Sequence, residues 1–249
     1  MSRHRLLVYL FLGAAVYAAV LVATFPAAWV AHMVGMASDR KLALRDAAGT
    51  AWSGSGRLYA RQRAGGLVDL GNVRWQASPI ALVRGKLGAE LVLGEAGRTM
   101  HVEASPATLV LRDIDVEFPG SLLVGFAPAL GPLGPVGTVR VRSDSFRIDG
   151  DSVLGLAEIE WRALRLTRAQ DVELGSHVAR LRGAGARVDI ELATVDGPLQ
   201  VSGGGTWTRA SGLTLSGRAE PRGAAVASFL KAVCAEYRDS RCHFRYSGV

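Results

Sequence analysis

The sequence predicts a mostly β protein: an antiparallel sheet of two strand-repeat halves, with a transmembrane helix before it and a short helix after it. Three observations carry this. A charge-free apolar stretch opens the chain, period-two alternation dominates from about Lys41 onward, and one late segment changes to helical spacing. Hydrophobic residues make up 49% of the 249 and charged residues 20%, a composition that builds a core rather than a disordered chain. The 30 glycines follow no three-residue period, which excludes collagen.

The N-terminal element comes first. A tail of residues 1–5, with Arg3 and Arg5, precedes the apolar run Leu6–Val30. As a helix those residues extend roughly 37 Å, enough to cross a bilayer core with some tilt. Tyr9 and Trp29 are placed for the two interfaces, and Pro26 falls near the far end, where a broken helix costs least. A cleaved signal peptide is the rival, but its apolar core is usually shorter and ends at a small-residue site that is not evident here. Arg3 and Arg5 favour a cytoplasmic tail, Arg40, Lys41 and Arg45 oppose it, and the shortness of the tail favours export of residues 31–249.

The exported part reads as strands. "RVDIELATV" sets Val188, Ile190 and Leu192 against Asp189 and Glu191; "LRDIDVEF" sets Ile114, Val116 and Phe118 against Asp113, Asp115 and Glu117. "PLQVSGGGTWTR" alternates Leu199, Val201, Gly203, Gly205 and Trp207. Shorter runs lie at 90–93, 108–111, 138–141, 164–166 and 213–215, and "GEAG", "DGD", "VDGP" and "RASG" supply turns between strands. "SPIALVRGKLG" fits a short helix or an edge segment. "PRGAAVASFLKAVCAEYRDSRC" repeats Ala225, Phe229, Leu230, Val233 and Tyr237 at helical spacing and predicts the C-terminal helix. Thr50 to Trp75 and Thr138 to Trp161 are similar separations, which suggests halves near 42–125 and 136–220 joined through "FAPALGPLGP".

The stretch "GTAWSGSGRL", Gly49–Leu58, decides between chemistry and construction. It lacks the G-x-x-x-x-G-K-[ST] spacing of a phosphate loop, and no helix follows to receive an anion. A strand fits better, with Gly54 and Gly56 small so that another surface comes close, and Trp52 giving bulk on one face. Trp75, Trp161 and Trp207 complete the expected sheet contacts.

Charge and chemistry narrow the function. The net charge of +7 comes mostly from arginines scattered beside Asp or Glu, without a basic run interleaved with aromatics, so no nucleic-acid partner is expected. Attraction to anionic headgroups is a secondary consequence. Cys234 and Cys242 are the only cysteines; in an exported domain they fit a disulfide, against two separate thiols or a zinc site that lacks a fourth ligand beside His243. His4, His32, His101, His177 and His243 form no zinc-hydrolase pattern and no G-x-S-x-G occurs, so no enzyme, cofactor or metal is expected.

In its tail and anchor, its "GTAWSGSG", the following Trp75 segment and the late "DGPLQVSGGGTWTR", the chain resembles protein N of the bacterial type II secretion pathway. The resemblance covers nearly the whole chain. It implies a curved periplasmic sheet and a structural or assembly role in secretion. It also implies contact with the inner-membrane subunit that bridges to the secretin, and with the secretin itself. The alternative is binding of lipid or another hydrophobic ligand. Glycines on the apolar face would leave a groove, unless those side chains pack on the C-terminal helix or on a second sheet.

Overall fold

The computed structural model describes residues 3–61, 66–79, 81, 85–94, 98–125, 128–168 and 171–248. Among them fourteen strands form one open antiparallel sheet, ordered β1 to β12 in sequence and then β14 and β13. The strands are β1 (Leu42–Gly49), β2 (Ser53–Arg61), β3 (Leu67–Ser78), β4 (Leu87–Leu93), β5 (Arg98–Ala104), β6 (Thr108–Pro119) and β7 (Pro135–Asp149). They continue as β8 (Ser152–Leu166), β9 (Val172–Gly185), β10 (Arg187–Asp196), β11 (Leu199–Thr208), β12 (Gly212–Pro221), β13 (Glu236–Arg238) and β14 (Arg241–Gly248). The predicted turns fall between them: Gly150 (φ 57°), Gly197 (φ 117°) and Gly212 (φ 67°) take backbone angles that a side chain disfavours. "GEAG" lies mostly outside the described residues, as does the centre of "SPIALVRGKLG".

Direct cross-strand partners share a face, so the register shows what each face carries. One apolar row passes from Leu111 through Phe146, Gly155, Gly183 and Val188 to Trp207 and Leu213. The opposite face carries Asp115, Arg142, Glu158, Arg180 and Glu191, alternating in sign as β6 to β10 pair in turn. A second row runs Glu117, Arg140, Glu160, where Arg140 donates to both Asp115 carboxylate oxygens at 2.7 Å. Arg162 donates to Glu160 at 2.8 Å and holds its carboxyl below the usual carboxylate range, against a smaller effect of burial. The scattered arginines are therefore one half of a cross-strand ladder on the solvent face.

The apolar face is covered at its two ends. Ala27, Leu44, Val73 and Trp75 form one core, into which Val30 and Ala31 pack. Leu166, Val172, Leu174, Leu199, Ala219, Val226, Leu230 and Cys242 form the other, under helix α3 (Ala224–Val233). Leu42 of β1 and Phe118 of β6 line a single cavity with Leu122. In a flat sheet five strand spacings would separate them by about 24 Å, so the sheet curls at this end.

Three expectations change. The helix expected over 6–30 ends early: α1 covers Arg3–Ala23, and α2 is a separate helix over Ala28–Ala37. Pro26 lies between them, where its ring clashes with a continuing helix and it has no N–H to donate, and it forms an isolated antiparallel bridge with Thr50. Among the described residues no helix is long and apolar enough to cross a membrane. The C-terminal helix stops at Val233; Tyr237 lies in β13, and the left-handed Asp239 and Ser240 turn the chain back into β14. Finally, the two similar Thr-to-Trp intervals start in different places: Thr50 lies between β1 and β2, whereas Thr138 lies within β7.

Candidate functional site

The sequence-selected residues near the N-terminus converge where the helices meet the sheet. Thr50, Ala51 and Trp52 form the β1–β2 turn, so Trp52 is a turn residue and not the strand residue expected. The Thr50 hydroxyl accepts from the amides of Trp52 (3.3 Å) and Ser53 (3.1 Å), a side-chain turn that competes with strand pairing. This frees the Trp52 ring, whose Nε1–H donates to the Val22 carbonyl at 2.6 Å. That carbonyl is in the last turn of α1, where its one backbone donor is the Phe25 amide at 3.3 Å. The Ala51 amide donates to Phe25 O (2.7 Å) and the Ala27 amide to Gly49 O (3.2 Å), so residues 22–27 are stitched to the turn on both sides.

Gly54 and Gly56 follow in β2 and face the core. Gly54 is the direct partner of Trp75, and a Cβ there would run into the indole and meet Ala48 O at 2.6 Å. At Gly56 a Cβ would meet Leu44 Cδ1 at 2.8 Å and Arg45 O at 3.1 Å. Trp75, 6% exposed, packs against Gly54 and donates its Nε1–H to Thr50 O at 3.1 Å. One ring thus fixes the turn that holds α1.

Trp161 and Trp207 do not join this cluster. Trp161 packs against Gly120 and Gly137, where added Cβ atoms would come within 2.8 and 2.9 Å of its indole, and its buried Nε1 has no partner among the described residues. Trp207 sits between Val188 and Leu213 and remains 37% exposed. Cys234 and Cys242 are joined in a disulfide with Cα atoms 5.8 Å apart, tying the end of α3 to β14. Among the described residues no group of three or more His, Cys, Asp or Glu could hold a metal ion.

Sequence reasoning missed His177. Its Nδ1 lies 3.2 Å from Thr194 Oγ, which accepts the Val201 amide at 2.6 Å, while its buried Nε2 is unpartnered. Burial lowers its pKa, against the smaller, raising effect of a hydrogen bond to the Leu174 backbone carbonyl. The placement reads as a structural histidine, held neutral.

A turn, two glycines, a tryptophan and a curling meander describe a scaffold in which small residues admit neighbouring surfaces. The family model for type II secretion system (T2SS) protein N matches residues 40–240, from the start of β1 to the β13–β14 turn. The chain belongs to that family. It is a component of bacterial type II secretion, in a family that is a structural part of the apparatus, lies in the bacterial envelope and implies contact with other secretion components. No curated protein and no solved structure matches it. The match to protein N begins after the helices, so α1 and α2 stand outside it.

Proposed function

We propose that this chain is an inner-membrane-anchored assembly component of the type II machinery whose sheet stands in the periplasm. The observation that carries the reading is the order of parts: a charge-free apolar run from Leu6, α1, and then the protein N sheet tied to the end of α1 by Trp52. The Cys234–Cys242 disulfide suits an oxidising compartment. The partners are the inner-membrane subunit that bridges to the secretin, and the secretin. A reporter active only after export, fused after Val249, should be active; activity from a cytoplasm-only reporter there would reverse the topology. Crosslinking from the sheet to the bridging subunit in intact cells tests the partner, and its absence from every exposed strand would remove it.

A second reading is supported by what the helices leave uncovered. Between the two cores, Met100, Val102, Leu111, Phe146 and Ile148 are only half-buried. Beside the C-terminal end of α2 a cavity of about 480 Å³ is lined by Leu42, Ala60, Leu70, Phe118 and Leu122, with Lys41 and Arg61 outnumbering Asp39 among its charged residues. An apolar lining with a net positive charge suits an acyl chain with an anionic head. Val201, a groove position on the sequence reading, packs against the α3 core instead, so Leu70 is the better probe. Lipid copurifying with the protein and lost in Leu70→Asp would support this reading, and a lipid-free protein would end it.

A further inference from the structure

Helix α2 presents an apolar face that the sheet does not use. Ala27, Val30 and Ala31 turn inward to the β1–β4 core. Trp29, Met33 and Met36 turn outward, 52%, 60% and 60% exposed, at the i, i+4, i+7 spacing of one helix face. The Phe25 ring stacks on Trp29 at 5.6 Å and His32 meets it edge-on at 6.2 Å, which extends the face back toward α1. No charged side chain lies on α2.

Cations gather where the helix ends. Asp39 and Arg40 both take left-handed backbone angles and turn the chain sharply from α2 into β1. A groove of about 360 Å³ runs beside α2, lined by His32, Met36, Leu44, Arg40 and Arg61 among others. Lys41 follows Arg40 and lines the neighbouring cavity, while Arg45, next to the inward-facing Leu44 on β1, lies over the Tyr59 ring at 5.6 Å. None of these four cations has an ion pair among the described residues, although Asp39 and Asp46 lie on the same stretch.

We propose that α2 lies in the headgroup layer of the membrane, with its Trp29–Met33–Met36 face in lipid and the Arg40–Arg61 groove on anionic lipid phosphates. The inference rests on the anchored reading of α1. Residues 24–27, the whole connection, reach at most about 14 Å when extended. They are far from extended, because they are pinned to the β1–β2 turn. A headgroup layer is roughly 5–7 Å thick on each side of the hydrocarbon core, so α2 begins within or beside it. A tryptophan at this level, with methionines on one side and arginines at the end, matches what the interface offers: apolar depth, then phosphate. A second copy of the chain would satisfy the apolar face but would bring Arg40, Lys41 and Arg61 up against their counterparts.

The test uses the full chain in vesicles of phosphatidylethanolamine and phosphatidylglycerol, labelled with a nitroxide without reduction of the native disulfide. Met33→Cys carries the probe, Phe11→Cys marks α1, and Asp151→Cys marks the distant β7–β8 turn. Collision with oxygen relative to a water-soluble nickel complex should be severalfold higher at positions 11 and 33 than at 151. Position 33 matching 151 while 11 stays in lipid would overturn the proposal and leave the anchor standing. Water access at position 11 would remove the anchor reading, and this one with it. Spin–spin broadening at 33 would assign the face to a second copy and also overturn it. In Arg40→Gln/Arg61→Gln, phosphatidylglycerol retained by the extracted protein should fall, by about fivefold per cation; unchanged retention would overturn the headgroup contact.

Discussion

Gly54→Ala adds one methyl group at the most enclosed point of the N-terminal core. The new Cβ would meet the Trp75 indole on one side and Ala48 O on the other, the latter at 2.6 Å. Neither neighbour yields easily. The carbonyl belongs to a paired strand, and the ring is buried and held through its Nε1–H on Thr50 O. Forced overpacking of this kind costs about 1–3 kcal/mol. For a chain of this length each kcal/mol lowers the midpoint by about 2–4 °C. Gly56→Ala should cost less, because its nearest obstacle is the end of the Leu44 side chain. Gly88→Ala in β4 is the control: nothing lies within 4 Å and its φ is not positive, so it should be neutral or stabilising by about 0.4–1 kcal/mol. Thermal unfolding of the full chain followed by near-ultraviolet circular dichroism reads all three. A Gly54→Ala midpoint equal to that of Gly88→Ala would refute the close-approach argument. So would a Gly54→Ala change that costs as much in a Trp75→Leu background as in the native one, since a smaller side chain should relieve the clash with the ring.

Trp52→Phe keeps an aromatic ring but removes the donor to Val22 O, so amides of residues 22–25, 27 and 51 should exchange about two- to tenfold faster, read by hydrogen exchange, with the sheet unchanged. Reduction of Cys234–Cys242, which closes a separation of eight residues, should cost about 2.5 kcal/mol in the chain-entropy model. It should also lower the melting midpoint and expose β14 first. His177 has its folded pKa pushed down by burial, so below about pH 6.5 the unfolded chain takes up a proton that the fold refuses. Stability should therefore fall as pH drops from about 7 toward 5, and His177→Gln should flatten that slope in urea titrations at each pH.

Most strands could be read from alternation because each has one wet face and one dry face. The charged residues in "RVDIELATV" and "LRDIDVEF" face the ladder, and the apolar ones face the core. The turns were equally readable, since Gly150, Gly197 and Gly212 occupy angles that other residues avoid. What failed had physical reasons. Residues 27–37 are apolar because they cover a sheet on one side and stay exposed on the other, and composition alone merges them with the run before Pro26. Tyr237 keeps helical spacing, but the disulfide and the Asp239–Ser240 turn draw it into a strand. The partners of Gly54 and Trp52 depend on pairing across β1 to β3 and on a break in the helix, neither of which a local pattern reports.

From β1 to β12 each strand pairs with its immediate neighbours in sequence, so growth of the sheet never waits for residues still to come. A chain delivered N-terminus first can lay down hairpin upon hairpin, each on a finished edge, with small loop-closure costs throughout. The exception is the last step, where β14 passes over the three-residue β13 to reach β12 and oxidation of Cys234 and Cys242 closes the loop. Assembly therefore has a direction and a terminal latch. An interruption partway leaves a shorter, still regular sheet with an open edge, and the disulfide marks the molecules that have reached the end.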